Sequence, residues 1–223
     1  MSYLTSTMAI NAISEMKHFH DDIVRLYGEY DMDLLDNLGR RNIVMSQAQE
    51  KFFAAELAKH YEGVVNDGRT GQPDIVLSSL DKELECKLTT RHKSGSISFQ
   101  SDYTTLQQKG SLDYLYVIAD NNFEKFAVLH FIGLTVDDFH PVANGSRGKV
   151  SMKKHVGMKK CNMLLGHAIS CNKLEIAKID EKLSKISDVT SAAGKKLLMR
   201  REYHVSTPTK YSFVLEEVSP SHA

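Results

Sequence analysis

Three side chains in the stretch QPDIVLSSLDKELECK, from Gln72 to Lys87, are of types that act together on phosphate esters: Asp74, Glu85 and Lys87. The stretch reads as a β-hairpin. Asp74 to Leu77 is a short apolar strand entered through Pro73, and Leu80 to Glu83 supplies the turn. From Leu84 to Leu88 apolar and charged residues alternate. Leu84, Cys86 and Leu88 therefore share one face, and Glu85 and Lys87 the other. A turn centred near Leu80-Asp81 lays Asp74 across from Glu85 and Lys87. Two carboxylates held on rigid strands suit a hard divalent cation, which takes oxygen ligands. An ammonium beside them can hold a phosphate oxygen or a water. That chemistry is metal-assisted phosphodiester hydrolysis.

Other elements must position this hairpin. A helix is expected from Ser46, which carries capping-box letters with Gln49, to about His60. On it Glu50 falls on the stripe of Phe53, Leu57 and Tyr61, either as a partly solvated acid favoured by the helix dipole or as a group reaching the hairpin. Val64-Val65 is a short strand. Asn66 to Gly71 is a Gly-rich loop without the Gly-Lys-Ser/Thr of a phosphate-cradling loop. After the hairpin, Phe99 to Lys109 reads as a helix closed by Gly110. Tyr114 to Ala119 reads as a strand buried on both faces, and Phe126 to Phe131 as a further strand.

The letters Pro73-Asp74, ten residues, then Glu85-Cys86-Lys87 resemble the motif of the PD-(D/E)XK, or restriction-endonuclease-like, nucleases. The order of elements from Ser46 to Phe131, about two-fifths of the chain, is similar to that family's αβββαβ core. The resemblance implies an α/β fold, with a central mixed sheet flanked by helices and helical additions at both ends. It implies one nuclease domain over residues 1–223: an N-terminal extension (1–45), the catalytic core (46–131) and a basic, partly helical C-terminal part (139–223). It also implies a type II restriction endonuclease that cuts double-stranded DNA at a specific sequence and leaves 5′-phosphates. Asp74, Glu85 and the backbone carbonyl of Cys86 would hold Mg2+, or Mn2+ in its place. Glu50 would be a further ligand and catalytic group, and Lys87 would orient the attacking water. A palindromic target implies a homodimer. The alternatives are a structure-specific repair or recombination nuclease of the same fold, and a non-catalytic DNA-binding module.

Charge distribution bears on the partner. The chain has 28 Lys+Arg against 28 Asp+Glu, yet no acid occurs from Phe139 to Leu174. Within that span Arg147, Lys149, Lys153, Lys154, Lys159 and Lys160 form a dense cationic segment, expected to contact DNA phosphates. Arg147 is the candidate base reader, since a guanidinium can bind guanine at two points. Arg69, before Pro73, and Arg91 and Lys93, after the hairpin, are placed to touch DNA beside the site.

Other classes find little support. Cys86, Cys161 and Cys171 are too few and scattered for a disulfide framework, which fits a reducing cytoplasm. They form no C-x-x-C pair with zinc spacing. No G-x-S-x-G occurs, no nucleotide-binding motif, no secretory signal pattern, and no apolar run long enough to span a membrane. At the N-terminus, Thr5 to Tyr27 reads as an amphipathic helix with Ile10, Ile13, Met16, Ile23 and Tyr27 near one stripe. A second short helix, Asp31 to Leu38, is expected to stop at Gly39. Toward the C-terminus, apolar residues from Ile176 to Leu197 recur every three or four positions, weakening at Thr190 and breaking near Gly194. That pattern is a helix–helix seam, within one chain or between two.

Overall fold

The computed structural model describes residues 2–69, 72–91, 97–186 and 188–218. In chain order its elements are α1 (Ser6–Glu29), α2 (Leu38–Ala58), β1 (Val64–Asn66), β2 (Ile75–Leu77), β3 (Lys82–Thr90), β4 (Gln100–Asp102), α3 (Tyr103–Lys109), β5 (Leu112–Ala119), β6 (Lys125–Leu134), β7 (Lys149–Ser151), α4 (Lys154–Gly157), β8 (Cys161–Leu165), β9 (His167–Ser170), α5 (Cys171–Ser184), α6 (Ala192–Ser206), β10 (Tyr211–Val214) and β11 (Glu216–Glu217). The chain divides into two compact units, residues 168–214 forming the second. No helix among the described residues is long and apolar enough to cross a membrane.

The first unit is built on a central mixed sheet, ordered β1-β2-β3-β5-β6-β11, with β8 also on β6. Neighbours β1, β2 and β3 are antiparallel, β3 and β5 run parallel, and β5 to β6 is antiparallel again. Strand β5 is buried along its whole length, as its near-continuous apolar run requires. Side chains alternate across the sheet. Leu84, Cys86, Leu115 and Val117 face a core shared with α1 and α2, to which Met16, Met45, Phe53 and Leu57 contribute. On the other face Tyr116 packs edge-on to Phe99 and Phe131, with ring centroids 4.8 and 5.7 Å apart. Leu106 of α3 is fully buried.

Three helical expectations are corrected. Asp31 to Leu38 is not a helix; one helix, α2, spans Leu38–Ala58 and crosses the expected boundary at residue 45. Asn37 caps it by accepting from the Arg40 amide at 3.1 Å, a bond of the kind that contributes about 1 kcal/mol. Gly39 then lies in the first turn, where a glycine interrupts little. Ser46 is mid-helix, and its hydroxyl donates to the Ile43 carbonyl at 2.8 Å. Arg41 holds the early turns down: fully buried, it donates to the Asn121 carbonyl at 2.5 Å and to Thr90 at 2.8 Å, with its guanidinium over the Phe123 ring. In α1, Ile13 and Met16 are buried as expected, but Ile10 is 40 % exposed and Ala9, Ala12 and His20 complete the buried face.

Phe99 to Asp102 is likewise not helical. Phe99 is drawn into the aromatic cluster, residues 100–102 become β4, and Asp102 caps α3 by accepting from the Thr105 amide at 3.1 Å. Strand β4 pairs with β7 as a separate two-stranded ribbon.

The second unit is a helical hairpin with a small sheet. Helices α5 and α6 pack together, so the seam joins two helices of one chain. Arg200 bonds Glu175 at 2.9 Å and Arg201 bonds Asp180 at 2.6 Å along it. Strand β10 pairs with β9, and the buried Asn172 ties the hairpin's ends by donating to the carbonyls of His204 and Thr207 at 3.1 and 3.2 Å.

Candidate functional site

The hairpin places the motif residues through its register. Ile75 pairs with Leu84 and Leu77 with Lys82, closed by a 3-10 turn over Ser78–Leu80 and by Asp81 at φ 50°. Asp74, one residue beyond the last β2 pair, therefore stands opposite Glu85. Its carbonyl accepts from the Asp67 amide at 2.9 Å on the β1 side, while its Oδ2 accepts from the Cys86 amide at 2.7 Å on β3. The ladder ends here, and the carboxylate takes the place of a missing main-chain acceptor. In an antiparallel ladder a residue's N–H and C=O point to the same neighbour, so the Cys86 carbonyl opens onto the same gap.

Glu85 and Lys87 lie beside Tyr114 and Tyr116 of the parallel strand β5, on the aromatic face. Lys87 Nζ donates to Glu85 Oε1 at 2.5 Å, and Glu85 Oε2 is buried without a hydrogen-bond partner among the described residues. Burial pulls the Lys87 ammonium down, but the Glu85 charge and hydrogen bond, with Asp74 behind them, outweigh it, and its pKa is raised. Asp74 is pushed up to about 6, first by burial and then by the Glu85 charge.

Glu50, half-buried on α2, belongs to the same electrostatic cluster. Burial is the larger cause, with Asp74 and Glu85 adding to it, and the Glu50 carboxyl is pushed up to about 7. The loop after β1 reaches it: a Cβ placed on Gly68 would lie 3.7 Å from Glu50 Oε2. Its stripe partners Phe53 and Leu57 are fully buried, as the sequence spacing predicts. Among the described residues no three His, Cys, Asp or Glu side chains form a ready metal cage. The carboxylates of Asp74 and Glu85 on the strands and of Glu50 on α2, with the Cys86 carbonyl, are the oxygen donors near the hairpin, but they are not drawn together tightly enough to make such a cage. Lys87 is the cation bonded within the cluster.

The predicted cationic residues divide into two groups. Lys153 donates to the Asp137 carbonyl at 3.0 Å, and Lys154 to the Ile97 carbonyl over the Phe99 ring. Lys160 bonds the Gly133 carbonyl at 2.9 Å and Asp138 at 2.7 Å. These three fasten the segment to the body of the unit, and Asp138 offsets one of their charges. Arg147 and Lys159 are exposed, as is Lys149, 3.8 Å from Asp102. Arg69 is exposed but gripped by Asp67 at 2.6 and 2.5 Å. Arg91 follows the end of β3, and Lys93 lies outside the described residues. Cys86, Cys161 and Cys171 are all free thiols, so none of them is tied into a disulfide.

Sequence reasoning missed Gln49. Fully buried, it donates from Nε2 to the Leu115 carbonyl at 2.9 Å and pins α2 to β5 next to Glu50. Its place four residues before Phe53 was the available signal. No protein-family model matches this chain, and neither does any curated protein or solved structure.

Proposed function

We propose that this chain is a magnesium-dependent endonuclease of the PD-(D/E)XK type, cutting double-stranded DNA at a specific sequence in the manner of a type II restriction enzyme. The observation that carries the reading is Asp74 set opposite Glu85 across the hairpin, with Lys87 on the same face of the same strand. The order α2, β1, β2, β3, α3, β5, with three antiparallel strands and then a parallel crossover, supports a restriction-endonuclease-like core.

The residues fit a magnesium site. Magnesium keeps several of its waters and is held by one or two carboxylates, so a full protein cage is not required. Glu85 Oε2 is buried without a hydrogen-bond partner among the described residues, and two neighbouring carboxyls, Asp74 and Glu50, are pushed up to about 6 and about 7 by burial first and by the nearby negative charges second. Asp74, Glu85 and the Cys86 carbonyl would hold the ion, or Mn2+ in its place, with Glu50 as a further ligand. When bound, Mg2+ supplies a Lewis acid at the phosphodiester and a more acidic water.

The chain's own residues supply the rest. Asp74 and Glu50 must give up their protons before the site is competent. Lys87 holds the attacking water or a phosphate oxygen and stabilises the negative charge that develops. Attack in line on phosphorus breaks the bond to O3′ and leaves a 5′-phosphate. Exposed Arg147 and Lys159 contact DNA phosphates, with Arg69, Arg91 and Lys93 nearer the hairpin in sequence. Two copies related by a twofold axis would each cut one strand of a palindromic target.

Digestion of a long unmethylated duplex with purified protein in magnesium tests this, beside EDTA and Asp74→Ala controls. Discrete bands lost in both controls are expected. A smear lost in both would point to a non-specific or structure-directed nuclease. Salt-dependent duplex binding with no metal-linked cutting on any DNA would instead favour a binding module.

A further inference from the structure

The β4–β7 ribbon has a polar face that the catalytic cluster does not use. Gln100 pairs with Ser151 and Asp102 with Lys149 across the two strands, and these four side chains share one face. Gln100, Lys149 and Ser151 are exposed. The alternate residues Ser101 and Val150 are buried, and the Ser101 hydroxyl is 2.6 Å from the Tyr114 hydroxyl. The ribbon is thus seated on the sheet by one side and offers only hydrogen-bonding groups on the other. A cavity of about 270 Å3 opens on that side, lined by Gln100, Lys149 and Ser151 together with His140 and Ser146 of the preceding loop. The Ser146 hydroxyl is buried there and makes no hydrogen bond among the described residues.

The ribbon is also tied to the motif strand. Tyr116, beside Lys87 in the β3–β5 register, donates its hydroxyl to the Gln100 carbonyl at 2.7 Å. Gln100 therefore stands over the same face of the sheet as Lys87, one tyrosine away.

Resting on the nuclease reading, we propose that this ribbon is the base-reading element, entering the major groove with Gln100 as its principal reader. A two-stranded β-ribbon fits that groove, and a glutamine amide matches the acceptor and donor that adenine presents there. A phosphate fits less well: Asp102 sits 3.8 Å from Lys149 and offsets the one lysine on the face. Neutral base edges need paired donors and acceptors, and the exposed Gln100 and Ser151 provide both.

The test selects bound duplexes from a randomised pool with the full chain in calcium, alongside magnesium digestion of the same pool. The wild type should yield a consensus containing adenine at one position. Gln100→Ala should lower the preference there by about tenfold, and Gln100→Glu should shift it toward cytosine, whose amino group a carboxylate accepts. Thermal melts matching the wild type show that both variants fold, as expected for an exposed position. An unchanged consensus in both variants, or magnesium-dependent cutting by the wild type with no consensus at all, would overturn the ribbon's role and leave the nuclease reading standing. Neither duplex binding nor cutting by the wild type would remove the nuclease reading and this inference with it.

Discussion

The Cys86 amide donates a 2.7 Å hydrogen bond to Oδ2 of Asp74 at the point where β2 and β3 part. The carboxylate is thereby both a structural acceptor and the candidate ligand. Asn at this position keeps the acceptor and removes the charge. Asp74→Asn should cut DNA at least about a hundredfold more slowly, since a neutral amide is a poor partner for a hard cation. In EDTA at about pH 8 it should melt at or above the wild-type temperature, because a buried carboxylate that repels Glu85 is gone. A lower melting temperature with normal cutting would remove Asp74 from the site.

Lys87 and Glu85 form a close ion pair through Oε1, and the other carboxylate oxygen, Oε2, has no hydrogen-bond partner among the described residues. Lys87→Met should abolish cutting and lower metal-free stability by about 1–3 kcal/mol, the usual cost of leaving a buried acceptor unpaired. Chemical denaturation in EDTA measures it. Added magnesium should restore part of that stability without restoring activity.

Stability should depend on pH in a direction set by the raised carboxyls. Asp74 stands at about 6 against an ordinary 3.8, and Glu50 at about 7 against 4.5. The folded chain binds more protons than the unfolded chain between about pH 4 and pH 7. The strain of holding these carboxylates together is therefore fully present above about pH 7 and relieved as the pH falls through that window. Melting of Glu50→Gln beside the wild type in EDTA isolates the effect: the variant should gain most at about pH 8 and little near pH 4. Magnesium should raise the wild-type melting temperature more at about pH 8 than at about pH 5.5, because its ligands must first lose their protons.

In the second unit, Gly194 lies against the backbone of Val189: a Cβ there would collide with the Val189 carbonyl. Gly194→Ala should force the start of α6 away from that turn and destabilise the unit by about 1–3 kcal/mol. Circular dichroism during thermal unfolding would read this as an earlier loss of helix. Unchanged melting would mean that the turn yields freely.

Much of the site is written in local pattern. The alternation from Leu84 to Leu88 assigns Glu85 and Lys87 to one face of β3 because a strand's period is two, and the buried run from Tyr114 marks β5 because a central strand has no polar side. The stripe carrying Glu50 follows from the helical period. Where local signals misled, a distant contact overruled them. Gly39 and Asp31 to Leu38 look like a helix end, yet Asn37 caps a new helix there and Arg41 anchors it to residues 90 and 121. Phe99 to Asp102 carries no strand signal, and takes β4 form because Phe99 is held by rings far along the chain.

By itself the sequence determined the composition of the hairpin and the shared face of its charges, since both depend on neighbours within a few residues; the turn expected at Leu80 to Glu83 lies instead at residues 78–81, with Lys82 and Glu83 already paired in β3. Only the tertiary structure decided which charges are spare. Lys153, Lys154 and Lys160 are occupied by carbonyls and Asp138, while Gln100 is carried on a ribbon bonded to Tyr116. Those outcomes rest on pairings between segments tens of residues apart, where burial and hydrogen-bond satisfaction choose among partners that local pattern cannot distinguish.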